Sequence, residues 1–160
     1  MAEQATLFLI KPDAIQRGIV GAVFSRIEPL GLEIIGVKVT PVSRALAEEH
    51  YKHIRSKAFF DETVEYLEGK RHGISSVLAF VLWGQDAIER LRRVTGATHP
   101  EKAEPTTIRG AFGRMKTDGL MENVVHTSSD QIEAQREIQL WFQPSELLRP
   151  VGSSSAGVQR

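Results

Sequence analysis

Apolar residues fall along this chain in short blocks with two kinds of spacing. Thr6 to Lys11 is a compact apolar run, ended by Pro12-Asp13, and reads as a buried strand. Val20, Val23, Phe24, Ile27 and Leu30 recur at helical spacing, which predicts an amphipathic helix. Pro29 disturbs its last turn and Gly31 is placed to stop it. Leu32 to Val42 is rich in Ile and Val and predicts a second strand. Ser43 is a candidate N-cap for a helix through Ala47 to Ile54, and a second short helix covers Asp61 to Leu67. Ser75 to Leu82 predicts a further buried strand, and Ala87, Leu91 and Val94 a helix ending at Gly96. Asn123 to His126 is a brief strand, after which Ser129 or Asp130 caps a helix running toward Trp141-Phe142.

Two stretches between these elements lack periodicity. Gly69-Lys70-Arg71-His72-Gly73 is a polar, glycine-bounded loop. Ala97 to Leu120 is mostly irregular, and long irregular stretches in compact domains often carry function. The order is β-α-β-α-α-β-α-loop-β-α. Stripped of its inserted helices it matches a ferredoxin-like βαββαβ fold of the α+β class: a four-stranded antiparallel sheet with helices packed on its faces. One domain is expected over 1–146. The remainder, 147–160, is a C-terminal extension, mostly small and polar, that is flexible or held by a neighbouring subunit.

Composition narrows the function classes. Lys+Arg and Asp+Glu are both 20, so no net charge argues for a nucleic-acid or membrane partner. The aromatic segment that RNA-binding sheets of this shape use is absent, and no specific nucleic acid is expected. With no cysteine, disulfides, a thiol nucleophile and cysteine-ligated metals are excluded. The longest apolar run, Val77 to Trp83, falls far short of the roughly 20 residues that span a bilayer. A cytoplasmic location is the expectation. Neither a P-loop, nor the protein-kinase motifs, nor a Gly-x-Ser-x-Gly elbow is present. His50 and His53 sit at i, i+3 without an accompanying carboxylate motif and read as an exposed helix face. Trp83 and Trp141 read as packing residues.

Candidate chemistry gathers in Lys11-Pro12-Asp13, Arg92, Thr98, Thr107-Ile108-Arg109-Gly110 and Asn123-Val124-Val125-His126. A phosphoryl group in transfer carries spread negative charge, so its catalysis is mostly positioning and electrostatic stabilisation. Lys11, Arg92 and Arg109 supply cations without a P-loop. Thr98 and Asn123 offer neutral hydrogen bonds to phosphates or ribose. His126 is the candidate nucleophile, because neutral imidazole attacks near neutral pH without a separate base. Glu137, on the following helix, is placed to hold its second ring nitrogen, and Ser128 to steady Glu137. Phe59 offers a flat face on which any base can stack, and Leu120 is a candidate for the other side.

In order and spacing these motifs resemble the nucleoside diphosphate kinase family over almost the whole chain. Thr6 to Gly18 is similar to its first strand and turn, and His50-Tyr51 with Phe59-Phe60 to the segment around its nucleotide clamp. Gly96 to Pro100 and Thr107 to Gly110 are similar to its phosphate loop. Asn123 to Ser128 resembles its active-site histidine motif, and Arg136 to Phe142 the helix that follows. The resemblance implies ping-pong transfer of the γ-phosphoryl group, chiefly from ATP, to other nucleoside diphosphates through a phosphohistidine. Attack is then from Nδ1 of His126, with Glu137 on Nε2 and Tyr51 nearby. It also implies broad base specificity, Mg2+ held by the nucleotide and water rather than by protein ligands, and a homo-oligomer: hexamer, tetramer or dimer. The alternative is a catalytically weak nucleotide-binding or interaction module of the same fold. Thr127, Thr106 and Ala58 depart from the family pattern, where glycine or alanine, glycine and proline are usual. Extra residues stand around Lys70 to Ile74 and between Gly113 and Met121.

Overall fold

A computed structural model of the chain describes residues 1–152. Strand β1 (Glu3–Ile10) is followed by a short helix α1 (Pro12–Gln16), which the sequence pattern did not suggest, and by α2 (Val20–Ile27). The disturbance expected at Pro29 is a 3-10 turn, Glu28–Leu30, closed by Gly31 in the left-handed region. Strand β2 (Glu33–Pro41) leads to α3 (Arg44–His50), whose Ser43 cap accepts from the Leu46 N–H. This helix is shorter than expected: it ends at His50, and Lys52–Ile54 is a separate 3-10 turn. Helix α4 (Phe60–Glu68), β3 (Ser76–Gln85) and α5 (Ala87–Thr95) follow.

The stretch expected to be irregular holds more structure than that. It contains a 3-10 turn at Pro100–Lys102, helix α6 (Ile108–Phe112) and the first strand of a small hairpin, β4 (Arg114–Met115) with β5 (Met121–Glu122). Strand β6 (Val125–Thr127) and helix α7 (Gln131–Trp141) close the domain, and Asp130 rather than Ser129 caps α7.

The main sheet is antiparallel, in the order β2-β3-β1-β6. Alternation along β1 divides the core in two. Ala5, Leu7 and Leu9 face a cluster with Val64, Leu67, Ile138 and Trp141, so α3, α4 and α7 cover one face. Phe8 and Ile10 face Val23, Ile27, Leu91 and Ile108, so α2, α5 and α6 cover the other. After α7 the chain returns along β2: Leu147 packs over Gly36, the Leu148 N–H donates to the Ile35 carbonyl, and the Arg149 guanidinium lies over the Trp83 ring. The rest of the C-terminal extension, 153–160, lies outside the described residues.

Candidate active site

Strand pairing decides what surrounds His126. It pairs with Leu9 across the sheet and therefore points to the face covered by α3 and α7. Helix α7 packs along β1 there and brings Glu137 to it, with His126 Nε2 2.9 Å from Glu137 Oε2. The Ser128 hydroxyl donates to the same carboxylate oxygen at 2.6 Å and itself accepts from the Leu7 N–H. With Nε2 engaged, Nδ1 is the ring nitrogen left for the adjoining cavity. Burial, with Lys11 and Arg109 close by, holds the His126 imidazole well below its usual range, so the ring is neutral at neutral pH. Burial raises the Glu137 carboxyl.

The cavity has a volume of about 570 Å3. Lys11, Tyr51, Phe59, Arg92, Thr98, Arg109, Leu120, Asn123 and His126 all line it, while Glu137 and Ser128 stand behind His126. Lys11, at the end of β1, is buried, and its ammonium donates to Asn123 Oδ1 at 2.8 Å. Desolvation, and then Arg109, lower its pKa to about 7. Arg109 leaves the first turn of α6 and spends three nitrogens on the carbonyls of Gly96, Asn123 and Val125. Burial lowers its pKa to about 10, which still leaves it charged. Arg92 is exposed on α5 and donates to the Ser129 carbonyl. The Thr98 carbonyl accepts from the Asn123 amide, so both ends of that amide are engaged. Phe59 is half exposed and Leu120 is buried, both in the cavity wall. Tyr51 is buried beside them, and its phenol is raised by burial. Two guanidinium cations, a lysine and a neutral imidazole thus share one concave surface with an apolar wall.

Other residues, given no role from the sequence, shape the same site. His50 is 0% exposed, which corrects its reading as part of an exposed helix face; only His53 is exposed. Helix α3 ends by turning His50 inward, and its ring meets the His126 ring edge-on at 4.4 Å. Trp141, read from the sequence as packing alone, donates its indole N–H to His50 Nδ1 at 3.0 Å. An indole is a donor only, so the His50 proton sits on Nε2, where it has no hydrogen-bond partner. Tyr66 accepts the N–H groups of Asn123 and Val124 and donates to Asp13 at 2.6 Å. Val124 has a φ of 72°, a conformation in which a β-branched residue is strained. The Tyr66 hydroxyl and the Arg109 guanidinium hold the backbone on either side of it. His50 and Trp141 are 91 residues apart, so no local spacing signals the pair.

A family model described as nucleoside diphosphate kinase matches residues 4–147. The nucleoside diphosphate kinase of Pyrococcus horikoshii is 43% identical over 144 residues, covering 90% of this chain and 88% of that one. The one of Desulfitobacterium hafniense is 40% identical over 90% of this chain and 91% of its own. Among solved structures, a transition-state mimic of the Borrelia burgdorferi enzyme with bound vanadate and ADP superposes with a TM-score of 0.82 at 35% identity, covering 92% of each chain. A Halobacterium salinarum enzyme in complex with CDP gives the same score and identity over 97% of each. Together with the histidine, the three basic side chains and the sheet order already described, these matches show that the chain belongs to the nucleoside diphosphate kinase family.

Proposed function

We propose that this nucleoside diphosphate kinase carries the phosphoryl group on Nδ1 of His126. Nucleotide phosphates enter among Lys11, Arg92 and Arg109, with Thr98 and Asn123 as neutral partners. The Nδ1 lone pair attacks the γ-phosphorus; the N–P bond forms as the bond to the β,γ-bridging oxygen breaks, and the departing diphosphate keeps the electron pair. A terminal oxygen of an incoming diphosphate then attacks the same phosphorus, and the ring nitrogen leaves with its pair restored. Positive charge that develops on the ring in the first step is spread through Nε2–H to Glu137, which Ser128 holds in place. The observation that carries this reading is one neutral imidazole, with Nε2 taken and Nδ1 free, in a cavity with two arginines and a lysine.

By the family resemblance ATP is the chief donor, and many diphosphates are acceptors because Phe59 stacks on any base and the wall offers few other contacts to it. The family generally needs a divalent metal. Glu62 is the only carboxylate in the described lining, which suits Mg2+ bound through phosphates and water and not in a protein cage. When bound, Mg2+ would supply charge neutralisation of the nucleotide phosphates. Self-association is supported by the outer strand β2, whose Ile34, Val37 and Val39 side chains are exposed and which the returning C-terminal segment covers only in part. No helix among the described residues is long and apolar enough to cross a membrane, and we place the protein in the cytoplasm. Incubation with γ-labelled ATP is expected to give an acid-labile, alkali-stable phosphoprotein, and His126→Ala to abolish the label. A normal label on that variant overturns the assignment.

A further inference from the structure

The two stretches with extra residues, around 70–74 and between Gly113 and Met121, are distant in sequence but meet in the fold. His72 Nε2 lies 2.8 Å from Glu122 Oε1, and both side chains are fully buried. The second carboxylate oxygen accepts from Arg114 Nε. His72 is itself a fixed post. Its carbonyl accepts from Gln16 Nε2 at 2.7 Å, its N–H donates to the Gly69 carbonyl, and its ring packs 5.3 Å from Tyr66.

Apart from the packing of Leu120 and of β4 against the Pro100–Lys102 turn, the hairpin it grips has little to fix its position. β4 and β5 make two residue pairs, Arg114 with Glu122 and Met115 with Met121. A ribbon that short has no stability of its own. Among the described residues, the hydrogen bonds of 115–121 stay inside the hairpin, such as Lys116 N–H to Leu120 and Leu120 N–H to Asp118. Yet Gly119, Leu120 and Met121 form part of the nucleotide cavity wall. Asn123, by contrast, has its own anchors on Tyr66, Thr98, Lys11 and Arg109, so the phosphate end is fixed independently.

We infer that Glu122 is a positioning residue for the nucleoside end of the substrate: gripped by His72 and Arg114, it sets the Gly119–Met121 wall against which base and ribose bind. This rests on the function proposed above. Arg114 is half exposed at its side chain and outside the binding machinery, so Arg114→Ala is the gentle test. Glu122→Gln is the direct one. Both are expected to raise KM for the acceptor diphosphate about tenfold, the equivalent of one charge-assisted hydrogen bond. kcat is expected to stay within about twofold, and Arg114→Lys to restore part of the lost KM. Phosphorylation of His126 by phosphoramidate, a donor without base or ribose, is expected to proceed at the wild-type rate. An unchanged KM in Arg114→Ala protein that melts like wild type overturns the inference. So does a parallel fall in the phosphoramidate rate, which would place the effect at His126 or Lys11. If Glu122→Gln protein melts early, Arg114→Ala alone decides. A wild-type protein that takes phosphate from neither donor refutes the phosphohistidine reading, a separate outcome.

Discussion

Lys11 ends an apolar strand, and burial of its ammonium, followed by the neighbouring Arg109, brings its pKa to about 7. Near pH 8 most of this group is therefore neutral in the free protein, and an arriving phosphate restores its charge. Nucleotide binding is expected to take up close to one proton near pH 8 and almost none near pH 6. Calorimetry in buffers of different ionisation enthalpy measures this, and Lys11→Met should erase the difference. Glu137 stands behind His126, one residue further from the cavity. With Glu137→Gln the ring keeps a neighbour but loses the negative charge that balances it. Phosphorylation of His126 in a single turnover is expected to slow about tenfold or more; an unaltered rate would remove Glu137 from the mechanism.

At the scale of elements, the end of α4 is the point where one extra stretch begins. Gly69 closes the helix with a φ of 82°, and a Cβ there would run into the Ile74 carbonyl. Gly73, four residues on, also has a positive φ, but its missing side chain would enter open space. Gly73→Ala is expected to cost about 1 kcal/mol, the backbone term alone. Gly69→Ala adds a steric term of about 1–3 kcal/mol. Urea melts of the two variants compare them directly, and equal losses would contradict the packing described for this turn. The termini of elements were also where sequence patterning failed most. The helix expected to continue to Ile54 ends four residues early, because His50 is drawn into the core by Trp141 and by Arg136, which donates to the His50 carbonyl. Such partners lie on α7 and leave no trace in local spacing. Periodicity did locate the four main strands and the four longest helices, whose buried faces are set by residues within a few positions of one another.

For the molecule as a whole, two buried imidazoles dominate the acid response. His50 and His126 are both held well below the unfolded value of about 6.5. As pH falls below that value the unfolded chain binds protons that the folded one does not, and stability drops. Each group contributes a slope of about 1.4 kcal/mol per pH unit in that window. Glu137, raised by burial, works in the opposite sense across the carboxylate range. The urea midpoint is expected to fall between about pH 6.5 and pH 5 and to fall less in His50→Phe protein. A flat profile would show that these rings protonate freely in the folded state. The exposed β2 edge belongs to this scale too. Val39→Lys, at a position 68% exposed, is expected to weaken self-association in sedimentation runs while leaving the monomer folded. An unchanged distribution would remove that edge from the interface.

Taken alone, the chain of residues determined the α+β architecture, the absence of thiol chemistry and which side chains are candidates for phosphoryl transfer. Those properties lie in short-range periodicity and in motifs a few residues long. What tertiary structure alone decided is the company each group keeps: Glu137 on one nitrogen of His126, His50 against its ring, Tyr66 beneath Asn123, and His72 on Glu122. These contacts join residues from 11 to 76 positions apart. Sheet order and helix docking bring them together, and the burial that follows sets the pKa of Lys11 and His126.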